Sequence, residues 1–582
     1  MKKNKSSDTK KSALGKYWKW ICLGIISILF LSNYTRIFDR KIDMNGDNIY
    51  YYSLGNAIND GKGFTNVIGF DESPHTHFPP GYPYFIALLM KVGADSINAI
   101  KITNGVLLFL SIILLFFVLY ELSKNKLITF TATLFAASQI NILRFSTIMM
   151  SEILFVFFTL IVVLIILKWD TDKAFSSARK KWKDILIIIL LTASLSYIYF
   201  IRTMGMSLIL AVIIYYGIKS GKQIIVFLKT KRTEGNAIRK QRRTAILKYA
   251  AIFALTAMSL IVPKHIWDTR SKNLGVVQND YADSFKKKLN GETMQTFSDW
   301  KERIASNVQT YTIQWMPDAI FSREKSTVDK ATAGKWMKGV IILFLLLFGV
   351  YKLKKGGLLI FLYIGITMGV LLIYPEQYGG YRYMLAIIPF FIFLLIYGGY
   401  ALCSLIISKN VKQEIQQVKY NKIISILVCL IFTLTAYSSY ASAIKTNAKN
   451  AKSKEYSYSN TTPALVEYIS AMQWAKDNLP DTARVSTRKP ELFYIYSGER
   501  KSIMFPQYAT PEEVMDFFTK NKIQYIIVDR WFRHGYVTII PAIQKYNDKF
   551  KIIHQIKGLE EGAPNTYIIE FNPQWDMPET GR

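Results

Sequence analysis

The stretch Lys19-Trp-Ile-Cys-Leu-Gly-Ile-Ile-Ser-Ile-Leu-Phe-Leu-Ser-Asn-Tyr-Thr-Arg36 decides the class of this chain. Its apolar run, Trp20 to Leu31, follows a tail in which Lys2, Lys3, Lys5, Lys10, Lys11, Lys16 and Lys19 face one acid, Asp8. A basic tail and a short apolar run would suit a signal peptide, yet Ser32, Asn33, Tyr34 and Thr35 lead straight to Arg36 with no small-residue cleavage site. The segment therefore reads as an uncleaved anchor entering from the cytoplasm, with residues 1–19 as a cytoplasmic basic tail.

Further apolar runs of helix length follow at 97–121, 127–143, 147–168, 185–201, 204–218, 246–262, 336–351, 357–373, 384–407 and 423–440. Together with the first they predict a polytopic α-helical membrane protein of about eleven transmembrane helices. Composition agrees. Of the 582 residues, 51% are hydrophobic and 14% aromatic, which excludes a small soluble domain. Cys22, Cys403 and Cys429 each lie inside an apolar run, which excludes a disulfide-stapled secreted scaffold.

The net charge of +32 would by itself suit a nucleic-acid binder, but its distribution points elsewhere. Segment 219–245 carries nine basic residues and one acid, Glu234. Lys352, Lys354 and Lys355 occupy a second predicted inner loop, and Lys409, Lys412, Lys419 and Lys422 a third. The first predicted outer loop holds six acids and three bases between residues 39 and 80. The alternation is a topological signal, so no nucleic-acid partner is expected. It places the N-terminus in the cytoplasm of a multi-pass cell-membrane protein. Residues 20–441 form the predicted transmembrane domain, with outer loops 39–96 and 263–335. The remainder, 442–582, is long enough for an extracytoplasmic domain of about 140 residues. A helical pattern over Pro463–Asn478 and strand-like runs at Tyr525–Asp529 and Thr566–Phe571 predict a small α/β domain there.

Just beyond the first span comes Asp43-Met-Asn-Gly-Asp47-Asn-Ile-Tyr50-Tyr-Tyr-Ser-Leu-Gly-Asn-Ala57, and later His75-Thr-His77-Phe-Pro79-Pro80-Gly-Tyr82-Pro83. A carboxylate a few residues past a span sits at the bilayer surface, where a lipid phosphate would react. The arrangement resembles the GT-C membrane glycosyltransferases, in particular the branch that contains the protein O-mannosyltransferases and the lipid A aminoarabinose transferases. Asp47, Tyr51, Ala57, the Gly61/Gly63 turn and Pro79-Pro80-Gly-Tyr-Pro83 match the first-loop pattern of that family, and Met149-Met-Ser151-Glu152 resembles its second acidic position. One departure is that the usual acidic pair is Asp47-Asn48 here.

The resemblance implies a sugar donor carried on a polyprenyl phosphate and an acceptor that is lipid, glycan or protein. Inverting transfer needs a base for the acceptor proton and cations for the departing phosphate. Asp47 is the candidate base, with Glu152 positioning the acceptor or tuning Asp47. Tyr51 and Tyr82 of the matched motifs are candidate substrate contacts.

Cations at the outer ends of spans oppose the basic-inside trend and need a reason. Arg144 ends the third span, Arg202 the fifth, and Arg382 opens the tenth within Tyr374-Pro-Glu376-Gln-Tyr-Gly-Gly-Tyr381-Arg382-Tyr383. A helix C-terminus accounts for the first two through its dipole, whereas Arg382 lies where the dipole opposes it. Arg382 is therefore the leading phosphate ligand, with Arg202, Arg144 and Lys264 behind it. His75, His77 and His265 are weak candidates for a divalent metal, and no cofactor is otherwise implied. A lipid-linked glycan ligase or polymerase, or a polytopic transporter or flippase, are the alternatives. A transporter usually keeps its charged sites near the bilayer midplane, and these charges cluster at helix ends.

Overall fold

The computed structural model describes residues 13–43, 46–169, 171, 174, 181–229, 236–274, 285–286, 293–323, 330–375, 380–408, 414–452, 462–531 and 533–574. The chain divides into two compact units. One comprises Met1–Phe38, Ile102–Thr147 and Ser151–Ala448, the other Asp39–Lys101, Ile148–Met150 and Lys449–Arg582.

The first unit is helical. Among the described residues, eight helices are long and apolar enough to cross a bilayer: Tyr17–Ile37, Ile97–Ser123, Lys181–Ile201, Gly205–Leu228, Lys240–Asn273, Ala333–Lys352, Ile388–Ile407 and Gln416–Lys452. The other three apolar runs correspond to shorter pieces, which is why the sequence-derived count is higher. Glu152–Lys168 and Gly357–Ile373 have 17 residues each, a rise of about 25 Å against a hydrocarbon core of about 30 Å. The third run is a pair, Lys126–Ala136 and Ile140–Ser146, bent by 55°.

Side chains hold that bend. Gln139 caps the second piece, its Oε1 accepting from Ile142 N–H at 2.9 Å, while Ser322 Oγ accepts from Ile140 N–H at 2.9 Å. The N–H groups freed by the break are thus satisfied inside a buried segment. Elsewhere helices meet through glycine. A Cβ at Gly398 would lie 2.1 Å from Leu345 O, and one at Gly349 2.8 Å from Leu394 O. The helices Ala333–Lys352 and Ile388–Ser408 therefore touch backbone to backbone, the packing small residues allow where water supplies no drive.

The second unit is α/β. Its strands are β1 (Thr65–Asn66), β2 (Ser73–Pro74), β3 (Val485–Ser486), β4 (Ser502–Ile503), β5 (Tyr525–Val528), β6 (Phe550–Ile556) and β7 (Thr566–Phe571). β1 and β2 form a hairpin, and the others make one sheet in the order β4-β3-β5-β7-β6. β4, β3 and β5 are parallel, and β7 and β6 antiparallel. Alternate residues feed two cores, as a strand's period of two requires. Ile527 and Ile568 join Tyr468, Met472, Leu492 and Phe493, whereas Ile526, Val528 and Ile569 join Val514, Phe518 and Ile539. The helix Pro463–Asn478 and strand β7 fall where the sequence predicts them. Ile49, from the loop after the first span, is buried in the first of these cores.

Candidate active site

Glu152, Arg202 and Arg382 come together within the helical unit. Glu152 opens the helix Glu152–Lys168, where the positive end of the dipole favours a carboxylate. Arg202 follows the last residue of Lys181–Ile201, the end that favours a cation. A tight turn aims it: Gly205 N–H donates to Arg202 O at 2.9 Å, and a Cβ on Gly205 would lie 2.4 Å from Ile198 Cγ2, so no larger residue fits. Arg382 begins the short 3-10 helix Arg382–Met384, six residues ahead of the long helix that the sequence reading has it open. Of the motif around it, residues 376–379 lie outside the described residues.

Both guanidiniums close on one carboxylate oxygen. Arg202 Nη1 is 2.8 Å and Arg382 Nε 2.7 Å from Glu152 Oε1, the short distances of charge-assisted bonds. The Glu152 side chain is 2% exposed, that of Arg202 10% and that of Arg382 26%. Arg202 Nη1 also donates to Ser151 Oγ at 2.9 Å. The Tyr383 ring lies 5.9 Å from the Cζ of both arginines, within cation–π range, and its hydroxyl accepts from Tyr374 at 3.3 Å. The three charged groups sum to plus one. Glu152 Oε2 is buried with no hydrogen-bond partner among the described residues. The cluster can thus attract an anion through its guanidiniums and accept a hydrogen bond through that oxygen.

The other predicted cations are placed differently. Lys264 is exposed within the long helix Asn236–Asn273 and pairs with Asp268 one turn on, a surface pair of little energetic weight. His265 is its exposed neighbour. Arg144 is half-buried in the short piece Ile140–Ser146 beyond the 55° bend.

Asp47, Tyr51, His75, His77 and Tyr82 all belong to the α/β unit. Asp47 sits in the first turn of the helix Gly46–Asn59, again at the favourable end of the dipole. Asn48, at the departure from the family's acidic pair, is buried and donates from Nδ2 to Asp43 O at 2.7 Å. Tyr51 and Tyr82 are buried edge to face, ring centroids 5.2 Å apart, with Phe78 5.1 Å from Tyr51. The helix Gly81–Lys91 packs on Gly46–Asn59 so closely that a Cβ on Gly55 would lie 2.5 Å from Ile86 Cγ2. The first-loop motif therefore builds a two-helix platform that carries Asp47.

Tyr50 next to it has its hydroxyl pushed up to about 12, first by burial and then by the charges of Glu491 and Asp47. Both ring nitrogens of buried His75 are engaged, Nδ1 with Asn66 Oδ1 at 2.5 Å and Nε2 accepting from Phe78 N–H at 2.8 Å. Its role is to pin the loop, and His77 is exposed beside it. Among the described residues no three His, Cys, Asp or Glu side chains are grouped as metal ligands.

Three residues of interest escape a reading by sequence. Tyr383 and Ser151 are neighbours of predicted site residues, so adjacency is a usable signal. Glu491 offers none: it is buried, 3.2 Å from Lys489 Nζ, and its Oε1 is 2.7 Å from where a Gly46 Cβ would stand. Only the fold brings it to the start of the Asp47 helix.

No family model matches the sequence, and no curated protein matches it. Solved structures do. The crystal structure of ArnT from Cupriavidus metallidurans bound to undecaprenyl phosphate aligns over 98% of this chain and 100% of its own, with TM-score 0.54 and 9% identity. The apo structure of the same protein aligns over 96% and 98%, with TM-score 0.53 and 9% identity. The cryo-EM structure of the mycobacterial arabinofuranosyltransferase AftD aligns over 96% of this chain and 42% of its own, with TM-score 0.44 and 11% identity. At such identity the likeness to ArnT is one of fold alone, and it extends over nearly the whole chain: this protein has the fold of ArnT.

Proposed function

We propose that the chain is an integral-membrane glycosyltransferase that moves a sugar from a polyprenyl-phosphate-linked donor to an acceptor on the extracytoplasmic side of the membrane. The observation that carries the reading is the Glu152–Arg202–Arg382 cluster, in which one buried carboxylate orients two guanidiniums and leaves a net positive charge. In the reaction the acceptor hydroxyl gives its proton to Asp47 and its oxygen attacks the anomeric carbon, while the bond from that carbon to the phosphate oxygen breaks. The leaving polyprenyl phosphate goes from one negative charge to two. Cations placed at the phosphate favour that transition state over the ground state. Arg382 and Arg202 take this task, and Glu152 is a positioning residue that holds them.

Two further observations support the reading. A solved protein of the same fold was determined with undecaprenyl phosphate bound. A largely apolar cavity of about 230 Å³ has walls that include Leu372 and Phe391, which flank the Arg382 segment in sequence, and such walls suit isoprene units. The test incubates purified protein with a panel of polyprenyl-phosphate sugars and measures free polyprenyl phosphate. Release from one donor, lost in Arg382→Ala, is expected; no release from any donor by folded protein, with each class of acceptor supplied, would sink the proposal.

A further inference from the structure

A second cavity in the helical unit, of about 630 Å³, shares no residue with the Glu152 cluster. Its walls come from the end of the first helix, the piece Lys126–Ala136 and the long helix Glu414–Lys452. Leu29, Leu134, Phe135 and Ile444 supply apolar surface, and Arg36 and Lys445 stand at the same cavity. That volume falls within the range of about 300–1,000 Å³ typical of ligand pockets, enough for a headgroup phosphate and part of a chain.

The charge is one-sided. The first helix from Ala13 to Ile37 and the piece Lys126–Ala136 contain no acid, and the long helix has only Glu414, about 46 Å along the axis from Lys445 at 1.5 Å per residue. Among the described residues neither Arg36 nor Lys445 has a carboxylate partner. Arg36 lies in the last turn of its helix, where the dipole welcomes it. Lys445 does not, since seven residues of helix follow it. A lone lysine at this depth would be accounted for by snorkelling to the headgroups. Two cations on one cavity, above apolar walls, have the chemistry of a phosphate site with room for a chain.

The surroundings identify the source of the phosphate. Along the same long helix Ile431, Leu434 and Tyr437 are 60%, 71% and 67% exposed, an apolar face of the kind that meets lipid. Leu31 of the first helix is 51% exposed. The groove thus adjoins surface that is solvated by the bilayer, and its occupant arrives from there.

We propose that this groove binds one anionic glycerophospholipid, with its phosphate between Arg36 and Lys445 and an acyl chain along Phe135, Leu134 and Ile444. Asn33, whose Nδ2 donates to Ser138 Oγ at 3.2 Å on the groove wall, fixes the spacing of the first helix against Lys126–Ala136 and its bend. The lipid would fasten the first and last spans to each other. This inference does not rest on the transferase reading.

The test uses delipidated full-length protein in neutral detergent, with phosphatidylglycerol or phosphatidylcholine added and binding counted by native mass spectrometry. Wild type is expected to retain phosphatidylglycerol in preference to phosphatidylcholine. Arg36→Gln/Lys445→Gln should weaken that retention on the order of tenfold, while Arg36→Lys keeps it. Ala441→Trp, which fills the groove and leaves both cations in place, should also lose it. Equal retention of the two lipids, or full retention of phosphatidylglycerol by the double variant, would overturn the proposal. Displacement of the lipid by millimolar inorganic phosphate would overturn the part assigned to the chain. Because the readout is binding, a failure here is distinguishable from a failure of the transferase reading.

Discussion

Two guanidiniums on one oxygen of Glu152, with the other oxygen lacking a described partner, make an asymmetric arrangement whose parts can be separated by substitution. If Glu152 holds the arginines, Glu152→Gln leaves buried Arg202 and half-buried Arg382 under-compensated, and breaking the buried pair with Arg202 costs about 3–5 kcal/mol. Thermal unfolding in detergent should fall sharply. Part of the loss should return in Glu152→Gln/Arg202→Gln, since the coupling belongs to the pair. A general base would behave otherwise, losing turnover with stability intact. That second pattern is expected of Asp47→Asn, with a loss of about 10²–10⁴ in rate and unchanged melting, because Asn keeps the shape and the helix position. Arg382→Lys should raise the donor KM or lower kcat although the charge survives, because a lysine offers no planar fork. Unchanged kinetics would remove Arg382 from the site. Each of the three charged residues is legible in the sequence as a charge at a span end. Their pairing is not: Glu152 lies 50 residues from Arg202 and 230 from Arg382, so the sequence offers Glu152 as an acid that positions the acceptor or tunes Asp47, and only the fold shows its Oε1 paired with two guanidiniums.

At the scale of elements, the apolar runs announce helices, but what happens within a run depends on partners far away. The bend between Ala136 and Ile140 has no proline or glycine at the break. It is stabilised by Gln139 and by Ser322, 182 residues on, so no local pattern betrays it. Nor does the sequence say which glycines matter. Gly398 and Gly369 both sit inside apolar helices, yet a Cβ on Gly369 meets nothing within 4 Å whereas one on Gly398 strikes Leu345 O. Gly398→Ala should therefore destabilise the unit, because helix backbones would have to part. Gly369→Ala should be neutral or gain up to about 1 kcal/mol from helix propensity. Melting temperatures of the two purified variants test the contrast, and equal behaviour would show that the close crossing is not a determinant of stability.

For the whole molecule, the strands and helices of 463–571 are readable from local pattern, but the compact unit they belong to is not, because its core includes Ile49 from a loop more than 400 residues earlier. The side of the membrane on which that unit lies follows from charge and from span parity, and both depend on one short helix. Between Lys222 and Asp477 the chain contains the helices Asn236–Asn273, Ala333–Lys352, Gly357–Ile373, Ile388–Ser408 and Glu414–Lys452. If all five cross, the two residues lie on opposite sides. If the 17-residue Gly357–Ile373 does not cross, they lie on the same side. The basic clusters decide between these: residues 219–245, Lys352–Lys355 and Lys409–Lys422 share one face only if the short helix spans. At about 25 Å it would do so by local thinning, at a cost of fractions of a kcal/mol per Å of mismatch, small beside the cost of leaving its apolar residues in water. In a background with Cys22, Cys403 and Cys429 replaced by serine or alanine, Lys222→Cys and Asp477→Cys each put a single thiol at an exposed position. A membrane-impermeant maleimide applied to intact cells should label only Asp477→Cys, and Lys222→Cys should label only after permeabilisation. Labelling of both from outside would demote Gly357–Ile373 to a re-entrant element and dissolve the parity argument, while labelling of Lys222→Cys alone would invert the protein and move the proposed reaction to the cytoplasmic face.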